Sequence, residues 1–127
     1  MKRDLELIRK ILEEIETNDK TYANEMEIDG YDSNTIAFHI DLLNEAGYVK
    51  AIIEYEANGG YASAFAERLT WQGYEFLELS RNNTLWEKAK KVLKEKSISI
   101  SVSLLTELLK SIAKDRLGLS GIQNVLQ

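Results

Sequence analysis

Apolar residues recur along the chain at helical and at strand spacing. Leu5, Ile8, Ile11, Leu12 and Ile15 return every three or four residues, which predicts one buried helix face over about residues 4–17. Asp4 stands where an N-cap is wanted. The polar run "NDKTYANEMEIDGYD" follows, with a short alternation around Met26 and Ile28 that predicts an edge strand. A second helix is expected from Ser33 to Ala46, stopped by Gly47. On a helical wheel Ile36, Phe38, His39, Ile40, Leu42, Leu43 and Ala46 share one broad arc. Ser33, Asn34, Ala37, Asp41, Asn44 and Glu45 form the opposite, outward face.

"YVKAIIEYE" and "YASAFAERL" are rich in β-branched and aromatic residues, and the intervening "ANGG" holds the Asn-Gly pair of two-residue hairpin turns. A third helix opens at Thr70. "NNTLWE" breaks it and starts a fourth, with Thr84 and Glu87 at capping-box spacing. "SISISVS", residues 97–103, alternates with period two and is read either as a strand or as a serine-rich linker. The last helix is expected from Ser103 to Leu117, closing on Gly118.

Helix, short strand, helix, hairpin, helix is a winged-helix order. "TIAFHIDLLNEAGYV" followed by "RLTWQGYEFLE" resembles winged regulators whose recognition helix ends in leucine–x–x–alanine–glycine and whose wing is followed by leucine–threonine–x–x–glycine. With "MKRDLELIRKILEEIE" the resemblance extends over almost the whole chain, to a family of small bacterial and phage proteins known as a domain of unknown function. It implies a winged-helix fold and a phage or prophage setting, and it brings no activity and no site residues. The expected fold is thus α+β, a variant winged helix over residues 1–81 with a helical extension over 82–127. Winged regulators carry a further helix that braces the recognition helix. "NDKTYANEMEIDGYD" predicts loop and strand there, so the helix-turn-helix is expected to be incomplete.

Composition narrows the chemistry. The 127 residues include no cysteine and one histidine, His39, which argues against disulfides, thiol catalysis and histidine–cysteine metal sites. No nucleotide-binding motif is present, and no cofactor or metal is expected. His39 lies near the centre of the apolar arc and is read as a hydrogen-bonded core residue. Glu54 and Glu56 share one strand face and are read as solvent-facing rather than as a cation site. Trp71 and Trp86 flank helix starts and are read as packing anchors. Charges interrupt every apolar run, so no membrane span is predicted and a cytoplasmic protein is expected.

Charge is unevenly placed. Residues 1–80 hold 7 basic and 17 acidic side chains, whereas residues 81–127 hold 9 and 4. Non-specific DNA affinity comes mostly from neutralised phosphates, and the outward face of the second helix has carboxylates and no cation. Candidate nucleic-acid contacts are therefore Ser33, Asn34, Asn44 and Lys50 near the wing, and Lys88, Lys90, Lys91 and Lys94 on the fourth helix. Candidate protein contacts are Phe38 with Leu104, Leu105, Leu108, Leu109 and Ile112 of the leucine-rich last helix. The function expected is a non-enzymatic interaction or regulatory module acting as a homodimer or on a protein partner. The alternative is a DNA-binding regulator of winged-helix type.

Overall fold

The computed structural model describes residues 2–18, 20–95 and 102–117. Its elements are α1 (Leu5–Thr17), β1 (Thr21–Tyr22), a 3₁₀ turn (Ala23–Glu25), α2 (Ser33–Glu45), β2 (Val49–Tyr55), β3 (Tyr61–Leu69), α3 (Trp71–Arg81), α4 (Asn83–Glu95) and α5 (Val102–Leu117). They fall into two compact units that divide between Leu77 and Glu78.

The first unit is an α+β, winged-helix-like arrangement. Its antiparallel sheet has the order β1-β3-β2, and α1 and α2 pack on the sheet and on each other. Asp4 caps α1 by accepting the Leu7 N–H at 3.1 Å. Leu7, Ile8, Ile11, Leu12 and Ile15 are fully buried. Leu5 is only half-buried, because Leu7 is in line with Ile11 and Ile15 on the face that meets the sheet.

The predicted edge strand at Met26 and Ile28 lies elsewhere. The strand is Thr21–Tyr22, and Met26 and Ile28 are buried anchors in the loop beyond it. Alternate side chains can pin a loop to the core without a ladder, so the period-two signal was real but its cause was burial. Where winged regulators brace α2 with a helix, this chain has the single turn Ala23–Glu25.

α2 ends as its glycine requires. Gly47 has φ +86° and the Tyr48 N–H returns to the Leu43 carbonyl at 2.8 Å, which closes the last turn. The hairpin does not use a two-residue turn. Its loop is Ala57–Gly59, bracketed by Glu56 N–H to Gly60 O at 2.7 Å, with Gly59 at φ +92°. Left-handed geometry at Gly59 alone satisfies the Asn-Gly pair, and Asn58 instead accepts the Gly60 N–H at 3.0 Å.

In the second unit α4 packs on α5 and buries Leu85, Trp86 and Ala89, while α5 buries Leu105 and Leu109. α4 starts earlier than its Thr84–Glu87 spacing suggests. Asn82 is the N-cap, accepting the Leu85 N–H at 3.1 Å, and asparagine serves there at least as well as threonine. The alternatives for 97–103 and the Gly118 stop fall mainly outside the described residues. Among the described residues no helix is long and apolar enough to cross a membrane.

Candidate functional site

The outward face of α2 is bonded into the wing. Tyr55 and Tyr61 sit opposite each other across the hairpin, their ring centroids 5.5 Å apart. Both hydroxyls donate to the same Asp41 oxygen, each at 2.8 Å. Burial, then the hydrogen bond and charge of Asp41, push the Tyr61 hydroxyl well above the usual tyrosine range. Tyr55 moves the same way, chiefly through its bond to Asp41. One turn on, the Asn44 side chain accepts the Ala51 N–H at 2.9 Å and so spends its carbonyl on the start of β2.

Beside this face lies a groove of about 540 Å³. Tyr22 to Glu25 form one wall, Ser33, Asn34 and Ala37 of α2 a second, and Tyr61 to Ala64 of β3 the third. Ala37, expected on the outward face, is 3% exposed, because α2 turns that side toward the 3₁₀ turn and the groove. Ala46, expected on the buried arc, is exposed at the helix end. Glu25 is the one charged residue lining the groove among the described residues, and its carboxylate accepts the Tyr22 N–H at 3.2 Å.

The candidate nucleic-acid residues divide between the two units. Ser33 and Asn34 are exposed at the start of α2, and Asn44 is engaged with Ala51. Lys50 projects from the sheet face opposite α2, paired across the strands with Arg68. In the second unit Lys88, Lys91 and Lys94 are exposed along α4, and Lys90 bonds Glu87 at 3.0 Å.

The candidate protein contacts also separate. Leu105 and Leu109 are fully buried in the second unit. Leu104 is 57% exposed, and Leu108 and Ile112, each four residues further on, are half-buried along the same row. Phe38 is half-buried, edge-on to His39 at 5.3 Å.

His39 is a structural residue. It is fully buried, its Nδ1 lies 2.8 Å from the Thr35 carbonyl, and its Nε2 accepts the Asp4 N–H at 2.9 Å. Those partners require a neutral ring with the proton on Nδ1. Asp4 in turn accepts the Tyr31 hydroxyl at 2.5 Å. Burial raises the Asp4 pKa, but the hydrogen bonds from Tyr31 and the Leu7 and Glu6 amides outweigh it and hold the carboxyl below its usual range.

Besides the bonds of Asp41 to Tyr55 and Tyr61, two features escaped sequence reasoning. One is the groove, which local pattern does not encode. The other is Trp71, which is 81% exposed and is no packing anchor, while Trp86 is fully buried as expected. Tyr74, one helical turn on, is also exposed. Among the described residues no group of three or more carboxylates, histidines or cysteines could hold a metal ion.

An α+β, winged-helix-like unit with an acidic, internally bonded helix face and an adjoining groove defines the class of protein. Residues 2–99 match the model of a family described as "Hypothetical protein (DUF2513)", and the chain belongs to that family. It is also 34% identical over 119 residues to an uncharacterised protein of Haemophilus influenzae, a match covering 92% of this chain and 99% of that relative. No solved structure matches.

Proposed function

We propose that the protein is a non-enzymatic interaction module, which uses a winged-helix frame to meet protein rather than DNA. One observation carries this reading. The helix face that would read a groove of DNA is bonded into its own wing, through Asp41 to two tyrosines and through Asn44 to Ala51. A phosphate backbone approaching that face would meet carboxylates and no cation. Self-association is part of the proposal, through the row Leu104, Leu108 and Ile112 on α5.

A second reading, duplex binding through Lys88, Lys91 and Lys94, draws on their exposure along one helix. Titration of the protein onto random-sequence duplex at about 50 and about 200 mM salt separates the two. The interaction reading expects no binding at either concentration. Micromolar binding that collapses at the higher salt would replace it with the DNA reading. Sedimentation equilibrium supplies the positive arm: the native chain is expected to associate, and Leu104→Glu with Leu108→Glu to give a folded monomer.

A further inference from the structure

We infer that the groove beside β3 takes an extended, positively charged segment of a partner protein, laid along the strand edge that β1 leaves uncovered. This rests on the reading of the protein as an interaction module and names where and what it binds. β3 runs for nine residues and pairs with β2 from Tyr61 to Leu69. On its other side β1 pairs with Phe65 and Ala66, and the Lys20 N–H just before it bonds the Glu67 carbonyl at 3.3 Å. From Ala64 back to Tyr61 no strand lies opposite among the described residues, and the groove occupies that place.

The gap has a local cause. After Tyr22 the chain leaves the sheet and coils into the 3₁₀ turn, which the Glu25 carboxylate closes by taking the Tyr22 N–H. Both the rest of β1 and the bracing helix of the winged-helix pattern are thereby missing at one point. Ala37, Ala62 and Ala64 line the space with small side chains, so an incoming backbone can come close to β3. Strand addition to such an edge draws affinity from main-chain hydrogen bonds and selectivity from alternate side chains.

Charge decides what the segment is. Glu25 is the charged residue of the lining, and Asp41 lies behind Tyr61 at hydrogen-bond distance. Residues 1–77 carry 7 basic against 16 acidic side chains. A second copy presenting the same unit would bring the same acidic surplus and be repelled. A segment with lysine or arginine interleaved with β-branched residues would be attracted and would keep its extended form.

The test uses the full chain and an array of random-sequence peptides of about ten residues, long enough for one strand. Binders are expected to be rich in lysine and arginine, to alternate with β-branched residues, and to weaken as salt rises. Ala62→Trp, at an exposed position lining the groove, is expected to lower their affinity at least about tenfold. Glu25→Gln keeps the acceptor for Tyr22 but removes the charge, and is expected to flatten the salt dependence. Circular dichroism and thermal melting check that both variants fold. Selection of acidic peptides, or of none, would overturn the inference. Basic peptides that bind both variants unchanged, but lose affinity with Trp71→Ala, would also overturn it while leaving the interaction reading standing.

Discussion

Gly73 stands so close to Tyr48 that a Cβ built on it would lie 2.0 Å from the Tyr48 carbonyl oxygen. The same carbonyl accepts the Thr70 N–H at 3.1 Å. The Thr70 hydroxyl donates to the Gly47 carbonyl at 2.6 Å and caps α3 by accepting the Gly73 N–H at 3.2 Å. "EAGYV" and "LTWQG" are therefore two sides of one junction, at which the end of α2 and the start of α3 meet backbone to backbone.

Gly73→Ala follows directly. In an open helix interior, glycine to alanine stabilises by about 0.5–1 kcal/mol. Here the clash is with a main-chain oxygen already bonded to Thr70, which cannot swing aside. The expected result is a loss of at least about 2 kcal/mol, of the size seen for overpacked cores. Urea unfolding checks it: the midpoint should fall with little change in slope. A stabilised variant would show that the junction yields more easily than its geometry implies.

Which parts of this were legible in the sequence depends on the range of the interactions. The α1 stripe, the Asp4 cap and the Gly47 stop rest on neighbours within a turn or two, and the pattern of residues shows them. Asp41 meets Tyr55 and Tyr61 across 14 and 20 residues, and no local period encodes that. The groove is less legible still, because it is the consequence of β1 ending after two residues. The burial of Met26 and Ile28 imitated a longer strand in just that stretch. Ala37 read as outward because a wheel shows which residues share a side, not what stands opposite.

The tyrosine pair gives an alkaline signature. Tyr61 and Tyr55 have pKa values raised in the folded state, Tyr61 by burial first and Tyr55 by its bond to Asp41 first. A raised tyrosine contributes stability that is complete below the unfolded value of about 10 and is lost as pH rises above it. Stability is therefore expected to fall above about pH 10. Ultraviolet titration of the folded protein should show these two hydroxyls ionising above the usual tyrosine range. Asp41→Asn should bring both titrations down, and an unchanged curve would place the cause elsewhere.

At the acid end the sign reverses. Asp4 has its pKa lowered in the fold, where the bonds from Tyr31, Leu7 and Glu6 outweigh the opposing effect of burial. Its contribution is present above the unfolded value of about 3.9 and is lost as pH falls through the lower folded value. Tyr31→Phe removes the strongest of the lowering partners. It should raise the Asp4 titration seen by carbonyl NMR and move acid unfolding to higher pH. A titration that stays in place would mean that the backbone amides alone hold the carboxylate.

The histidine prediction concerns a proton position. With Thr35 O near Nδ1 and the Asp4 N–H directed at Nε2, the ring is a neutral Nδ1–H tautomer. Ring ¹⁵N shifts at neutral pH should show Nδ1 protonated and Nε2 bare. His39→Leu fills similar volume but leaves the Asp4 amide without its acceptor, whereas the Thr35 carbonyl keeps its helical bond, at a cost of about 1–3 kcal/mol. Loss of less than that range in urea unfolding would mean that the Asp4 amide finds another partner.

The two tryptophans allow burial and docking to be told apart in one molecule. Trp86 is fully buried in the second unit, whereas Trp71 is 81% exposed at the start of α3. Trp86→Ala is expected to cost about 3–5 kcal/mol through the cavity it leaves. Trp71→Ala should stay within about 0.5 kcal/mol, as for a surface site. Fluorescence checks the assignment without a stability measurement: Trp86→Phe should leave a red-shifted emission readily quenched by acrylamide, and Trp71→Phe a blue-shifted, protected one. Exposed tryptophans of this kind are common anchors of interfaces. If the native chain self-associates, protection of Trp71 from quencher on raising protein concentration would draw α3 into the contact, and constant quenching would confine it to the α5 row.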